Sequence, residues 1–544
     1  MIPAATYVIT VAYSPTEFRF LDEFLTVRTA QSILATHHLF HINTALLVSP
    51  QYPGIEIVTT AVSSLSHLSI FTSGIIVVGL AHVLLSLGIY YLLLEVTHRP
   101  RVAALGVLIY STGPHFQFFD SYFIYEVLAL PLMVACLLAV IKMNRVGGDW
   151  RLRLSWAGVA AVFAGATVVS HHVTSYALFG FLLALEVAQL LRHRRGLQDW
   201  LLLPSLICLT GGFIALWDLK VATETISYFA PTIQGLIAAI PLIAPAHHGI
   251  STAAVPPIGP RFDLALEYAS VVLLFVLVAL GVWRIWRARL TTLSSSSAFA
   301  LASISLVIAL GLRALGSSGS EYYGRASTYF MIPAGLAAAF AIAKFRMPGA
   351  LRPQWISGRV VARWSWWVGV AAIVLLGVGG VAGGWPAYYA RLPGGYRVDA
   401  WERSVDQHTQ QLASWAKNEL PPNYGVASDF ATSNLLSSVG HEAAPSGVAK
   451  LFLTSRFSAS ARKIVREEKI DFIVVDHRWS EELPADGSYF ANDPKADRYR
   501  SPLPVADLDK FNHIAGVSEI FNDGTIAVYA LAGSLYRTGG TSKS

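Results

Sequence analysis

From residue 70 onward the chain is a procession of apolar runs, each about the length of a membrane-spanning helix. Nine lie at approximately 70–96, 102–118, 123–142, 154–170, 173–191, 200–217, 264–283, 297–315 and 327–344, and a further one at 365–385. In a bilayer each backbone polar group must be satisfied inside its own segment, so such runs fold as helices. The expectation is a mainly α, polytopic transmembrane bundle of about 10–11 spans. Charge usage agrees, because only 14% of the 544 residues are charged, against about 25% in soluble domains.

The linkers between runs sort by charge. Thr97–Arg101, Lys142–Arg153, Arg192–Arg195, Arg284–Arg289 and Lys344–Arg363 are basic, and they alternate with linkers poor in lysine and arginine. The positive-inside rule places the basic linkers in the cytoplasm of a multi-pass plasma-membrane protein. The net charge of +6 and pI of about 9.1 are therefore topology signals, not a nucleic-acid footprint. Both cysteines, Cys136 and Cys208, lie inside apolar runs, which excludes a disulfide framework and a cysteine metal site.

Two stretches then fall outside the cytoplasm. One is the polar segment Tyr13–Glu23, which stands after a short apolar N-terminus and carries the adjacent acids Asp22 and Glu23. Met1–Tyr13 is too short for a full span and reads as the outer part of a first one or as an interfacial segment. Glu17–His38 has helical spacing of apolar residues and is expected to lie as an amphipathic helix at the membrane surface. Gln51-Tyr52-Pro53-Gly54 then starts a new helix.

The second outer stretch is Pro386–Ser544. It predicts helices at Arg403–Leu420 and Ser458–Glu468, with strands ending near Asp429 and covering Asp471–Asp476 and Thr525–Leu531. That alternation predicts a soluble, extracytoplasmic α/β domain. The expected domains are thus 1–385, a bundle whose outer loop 14–69 carries the acidic motif, and 386–544.

Candidate chemistry collects on the outer side. Asp22 and Glu23 come first, then Asp120 in the short loop Phe118–Tyr122 with Glu126 just inside the next run. His171-His172 separates two spans, and Trp217-Asp218-Leu219-Lys220 opens the longest outer loop, which also holds His247-His248. Arg313, Glu321 and Arg325 flank the last outer loop. Moving a sugar off a phosphate needs a carboxylate to deprotonate the acceptor hydroxyl and cations to balance the leaving phosphate. Asp22, Glu23 and Asp120 fit the first need; Arg325, Arg313 and Lys220 fit the second. Plainer readings compete. An acidic pair suits any helix start, Asp120 is placed to cap the helix that follows, and Arg313 and Arg325 can snorkel to the interface. His171 and His172 are the candidate metal ligands, set against an ordinary interfacial role.

Taken together, these features resemble the GT-C superfamily of polyprenyl-phosphate-dependent glycosyltransferases. The likeness rests on Asp22-Glu23 in the first outer loop, the helix behind it, Gln51-Tyr52-Pro53-Gly54-Ile55-Glu56 leading into the bundle, Asp120 in the second outer loop, and an outer C-terminal domain. It is nearest to prokaryotic members of the dolichyl-phosphate-mannose-transferase type. The resemblance implies a hexosyl or pentosyl transferase using a lipid-phosphate-linked donor that enters from the bilayer, and a glycan, lipid or protein acceptor. It makes Asp22 or Glu23 the base, Asp120 a helper of the site or of a metal, and Arg325 the holder of donor phosphate. A divalent cation, magnesium or manganese, is used by some members and not by others. The short N-terminus departs from the pattern. Rival readings are a transporter or flippase, against which stand the missing paired halves, and an envelope polysaccharide polymerase or ligase.

Overall fold

The computed structural model describes residues 2–146, 149–190, 201–230, 261–287, 294–313, 317–343, 358–383, 388–440, 442–443 and 447–532. The chain forms two compact units. The first comprises Met1–Ala12, Gln51–Val58 and Thr72–Trp385, and the second Tyr13–Pro50, Thr59–Phe71 and Pro386–Ser544.

The first unit is helical. After α1 (Ile2–Tyr13), α2 (Leu21–Thr36) and α3 (Gly54–Ser66), it runs through α4 (Ile70–Thr97), α5 (Pro100–Tyr110), α6 (Tyr125–Arg145), α7 (Trp150–Ser170), α8 (His172–Leu190), α9 (Leu202–Lys220), α10 (Arg261–Arg287), α11 (Ser294–Arg313), α12 (Ser317–Ala343) and α13 (Gly358–Ala382). α2 belongs to the second unit, and α3 is divided between the two. Among the described residues seven helices are long and apolar enough to cross a membrane, and four apolar helical stretches are shorter. Burial separates centre from rim. The most apolar window is 78% buried in α12 and 67% in α6, but only 28% in α7, α9 and α10. The rim helices turn their remaining apolar surface outward, as lipid-facing helices do.

Close backbone approach lets α10 meet α12. A Cβ on Gly281 would lie 1.8 Å from the Ala337 carbonyl oxygen, so only glycine fits there. At one end of α4, Glu95 accepts from Lys142 (2.7 Å) and Arg145 (2.5 Å) of α6. Two of the basic-linker residues are thereby tied down at helix ends.

Two expected elements differ. The run 102–118 is not one span, because α5 stops at Tyr110 and Pro114 opens a separate turn, Pro114–Gln117. Gly113 ahead of that proline is extended (φ −63°, ψ 141°), as a residue before proline must be. The outer loop expected to reach Arg325 is instead helical from Ser317, so Arg325 stands within α12. Serine and glycine are weak helix formers in water, but a helix satisfies its own backbone and so overrides propensity in an apolar setting.

The second unit holds a five-stranded sheet in the order β2-β1-β3-β5-β4. Its strands are β1 (Gly425–Ala427), β2 (Glu442–Ala443), β3 (Ile470–Asp476), β4 (Val517–Asn522) and β5 (Ile526–Leu531). β1 pairs in parallel with β2 and β3, while β5 runs antiparallel to β3 and β4. Helices α14 (Gln407–Glu419), α15 (Phe430–Ser438) and α16 (Ala459–Glu467) accompany the sheet. α14 starts at an Asp406 cap on the Thr409 amide and ends before Pro421. The core gathers Phe452, Trp479, Phe490 and Phe511 around β3 and β5. Each such buried phenylalanine contributes about 1.5–3 kcal/mol.

α2 is part of this unit. Leu21 and Glu23–Ala30 are buried, and the helix packs on α15. The expected surface-lying amphipathic helix is therefore corrected over its first half, which is buried apart from half-buried Asp22, while Gln31–Thr36 are half-buried to exposed. Arg28 explains how a charge is tolerated there, since its Nη1 donates to the Ser437 carbonyl at 3.1 Å.

Candidate active site

Asp22 and Glu23 occupy the first turn of α2, where the helix dipole favours carboxylates. Their roles differ. Glu23 is buried, and its Oε2 accepts from the backbone amides of Phe20 (3.0 Å) and Arg19 (3.2 Å), closing the helix start. Asp22 is half-buried on the same turn.

In the first unit, Asp120 sits in a single 3-10 turn, Phe119–Ser121, and is 1% exposed. It does not cap α6, whose N-cap is Ile124 with no side-chain bond. The loop curls inward instead, because Phe116, Phe119 and Phe123 are buried around it. Tyr110 donates to Asp120 Oδ2 at 3.5 Å, and His82 Nδ1 lies 3.4 Å from the Asp120 carbonyl oxygen. Asp120 Oδ1 has no hydrogen-bond partner among the described residues. Burial, and next the Glu126 carboxylate, push the Asp120 carboxyl well above the usual range. A cation brought to the pair would reverse that shift.

Glu126 anchors a chain of buried hydrogen bonds. Tyr329 donates to Glu126 Oε1 at 3.0 Å, its hydroxyl lies 2.9 Å from Thr174 Oγ1, and Thr174 Oγ1 lies 2.8 Å from His171 Nδ1. Each hydroxyl carries one proton. With Tyr329 donating to Glu126, Thr174 donates to Tyr329, and the Thr174 backbone N–H donates to His171 Nδ1 at 3.4 Å. His172 is taken up differently, its ring packing against Tyr52 (5.1 Å between centroids), Phe229 (5.1 Å) and Tyr125 (5.8 Å). Among the described residues no three histidine, cysteine, aspartate or glutamate side chains are grouped to hold a metal. Asp120 and Glu126 are nonetheless two hard oxygen donors, a set that suits magnesium when substrate phosphate completes the shell.

The segment Gln51–Glu56 is fixed by the end of α9. Tyr52 donates to Asp218 Oδ1 at 2.8 Å and lies 2.9 Å from Thr225 Oγ1, while Tyr176 donates to Asp218 Oδ2 at 2.7 Å. Trp217 Nε1 donates to the Gln51 carbonyl at 3.2 Å. A Cβ on Gly54 would lie 2.2 Å from Ser170 Oγ, so α3 starts against the end of α7 only with glycine there. Glu56 is fully buried, and neither carboxylate oxygen has a partner among the described residues. Burial pushes it up to about 8.

The sign of that shift gives a test. A carboxyl raised from 4.5 to about 8 binds its proton more tightly folded than unfolded. Its stabilising effect is full at pH 4 and declines as pH rises through 8. Glu56→Gln is therefore expected to match wild type in thermal unfolding at pH 4 and to exceed it by a widening margin up to pH 8. An equal margin at both pH values would contradict the shift.

Lys220 ends α9 with its side chain exposed. The side chains of Arg313, Glu321 and Arg325, and all of His247-His248, lie outside the described residues. Sequence reasoning missed His82, Tyr110 and Tyr329. His82 was the findable one, an ionisable residue in the middle of the apolar run 70–96.

No protein-family model and no curated protein sequence matches the chain. Solved structures do. The apo oligosaccharyltransferase of Archaeoglobus fulgidus superposes with a TM-score of 0.58 at 14% identity, covering 98% of this chain and 74% of that one. The same organism's oligosaccharyltransferase AglB, solved with an inhibitory peptide and a dolichol-phosphate, gives 0.58 at 13% identity, with the same 98% and 74% coverage. ArnT from Cupriavidus metallidurans bound to undecaprenyl phosphate gives 0.52 at 14% identity, covering 99% of this chain and 98% of that one. The likeness includes both the apolar bundle and the C-terminal α/β domain, and the chain has the fold of the GT-C membrane glycosyltransferases.

Proposed function

We propose that this protein is an integral-membrane glycosyltransferase that moves a hexosyl or pentosyl group from a polyprenyl-phosphate-linked donor to an extracytoplasmic glycan, lipid or protein. The observation that carries this reading is end-to-end likeness to an enzyme fold solved with undecaprenyl phosphate, together with a carboxylate pair on the first turn of α2. In this reading Asp22 accepts the proton of the acceptor hydroxyl, and Glu23 holds the helix start that carries it. Asp120 and Glu126 supply the second acidic centre and would hold magnesium or manganese, which would balance charge on the leaving phosphate. Arg325, Arg313 and Lys220 are the cations assigned to that phosphate. The charge of the linkers supports a plasma-membrane location with the C-terminal domain outside.

The test is turnover by the purified full-length protein in lipid nanodiscs. Decaprenyl-phosphate-linked mannose, glucose, galactose and arabinose would each be supplied with envelope glycan and lipid acceptors. Release of free decaprenyl phosphate with sugar transfer is the expected result, and Arg325→Ala should weaken donor binding. No release from any donor, with no saturable binding of decaprenyl phosphate, would overturn the proposal.

A further inference from the structure

The C-terminal domain invites an acceptor-binding role, but its packing argues for a different one. Phe20 is the N-cap of α2, two residues before Asp22, and is fully buried. Its ring stacks on Trp401 with centroids 5.4 Å apart and planes inclined by 16°. Trp401 is itself held on three sides. Its indole N–H donates to Asp486 Oδ2 at 3.1 Å, its ring meets Phe430 edge-on at 6.4 Å, and its backbone is left-handed at φ 48°. A non-glycine residue in that region is strained, and it persists only where its surroundings over-determine it.

Two further tethers bracket the acid. Ahead of it, Glu17 is hydrogen-bonded to Gln410 of α14. Behind it, Arg28 Nη1 donates to the Ser437 carbonyl at 3.1 Å and reaches Ser437 Oγ at 3.4 Å. Asp22 thus rides on a helix whose start, approach and second turn are all fixed by residues beyond 400. A general base must stand within hydrogen-bond reach, about 2.6–3.2 Å, of the atom whose proton it takes, and a misplacement of about 1 Å can cost about 100-fold in rate.

We propose that Trp401 is a positioning residue for the transfer reaction, holding Phe20 and with it the Asp22 carboxylate, so that the C-terminal domain sets the geometry of the base. The inference rests on Asp22 being that base. It assigns the domain an effect on rate, where an acceptor-binding role would affect KM.

The experiment uses full-length protein in nanodiscs, comparing wild type, Trp401→Ala, Trp401→Phe and Asp22→Asn. Trp401→Ala should raise amide hydrogen exchange over residues 21–29 about tenfold, with α4 and β3 unchanged as controls for folding. Its kcat, with the decaprenyl-phosphate sugar that wild type uses, should fall about 100-fold while KM for donor and acceptor stays within about twofold. Trp401→Phe keeps the stack and should restore most of both. Wild-type exchange over 21–29 in Trp401→Ala, or a rise in acceptor KM with kcat unchanged, would overturn the proposal. Full activity in Asp22→Asn would instead remove the base assignment, and the exchange result would still report the tether.

Discussion

Asp22→Asn is expected to lower kcat about 10²- to 10⁴-fold, the span typical of a lost general base. Asparagine preserves the size of the side chain and removes only its proton-accepting charge. Losing that charge from the first turn costs stability of about 0.3–1 kcal/mol, too little to unfold the unit. Glu23→Gln should behave in the opposite way. An amide oxygen still accepts from the Phe20 and Arg19 amides, so rate should change little. Any effect should appear in unfolding, at about 0.3–1 kcal/mol for the charge lost from the first turn. Steady-state kinetics beside thermal unfolding of both variants separates the two carboxylates. Equal loss of rate in both would show that the capping bonds do not distinguish them.

The largest expected loss of stability is at Arg478. Its Nε donates to Asp476 Oδ1 and Oδ2 at 2.9 and 3.0 Å, its Nη2 to Oδ2 at 2.6 Å, and its Nη1 to Asp406 at 2.6 Å. The guanidinium also lies 3.3 Å from the centroid of the Tyr396 ring, and Tyr396 donates to Asp476 at 2.9 Å. Asp476 is 1% exposed at the end of the central strand β3. Arg478→Ala leaves that carboxylate buried without its counter-charge, which costs about 3–5 kcal/mol. Lysine should rescue poorly, because one ammonium cannot reproduce a planar fork contacting two carboxylates and a ring. Adding Asp476→Leu to Arg478→Met should recover much of the loss, since the penalty comes from the orphaned charge. Denaturant titration of the three variants, followed by tryptophan fluorescence, measures each difference. A loss below about 1 kcal/mol in Arg478→Ala would place the pair with ordinary surface bridges.

What could be read in the sequence followed from periodicity and charge. The apolar runs stand out because lipid demands long segments, and β3 and β5 stand out because both are apolar along their length. β4 was not foreseen, since Ser518, Glu519 and Ile520 are exposed on an edge strand and show no apolar run. The inward turn of Asp120 was hidden for a related reason. An aspartate next to a helix start looks like a cap, and only the packing of Phe116, Phe119 and Phe123 decides otherwise. The attachment of α2 to α15 was beyond local reading altogether, because no short-range pattern records a partner so far along the chain. Glu23 lies between these cases. Its spacing from Phe20 fits a cap, but the chemistry expected of an acidic pair obscured it.

The bond from Arg28 to Ser437 joins residues 409 positions apart. At about 5–20 residues per second, roughly 20–80 seconds of synthesis separate the two. For all of that interval the acidic segment is on the far side of the ribosome's timetable from the surface that will hold it. In the proposed reading the bundle can insert while Asp22 is still unplaced, and the nascent chain stays idle until the C-terminal α/β domain folds. On that reading, late folding of the domain is what puts the base in place, and a chain ending before residue 400 is expected to be inert.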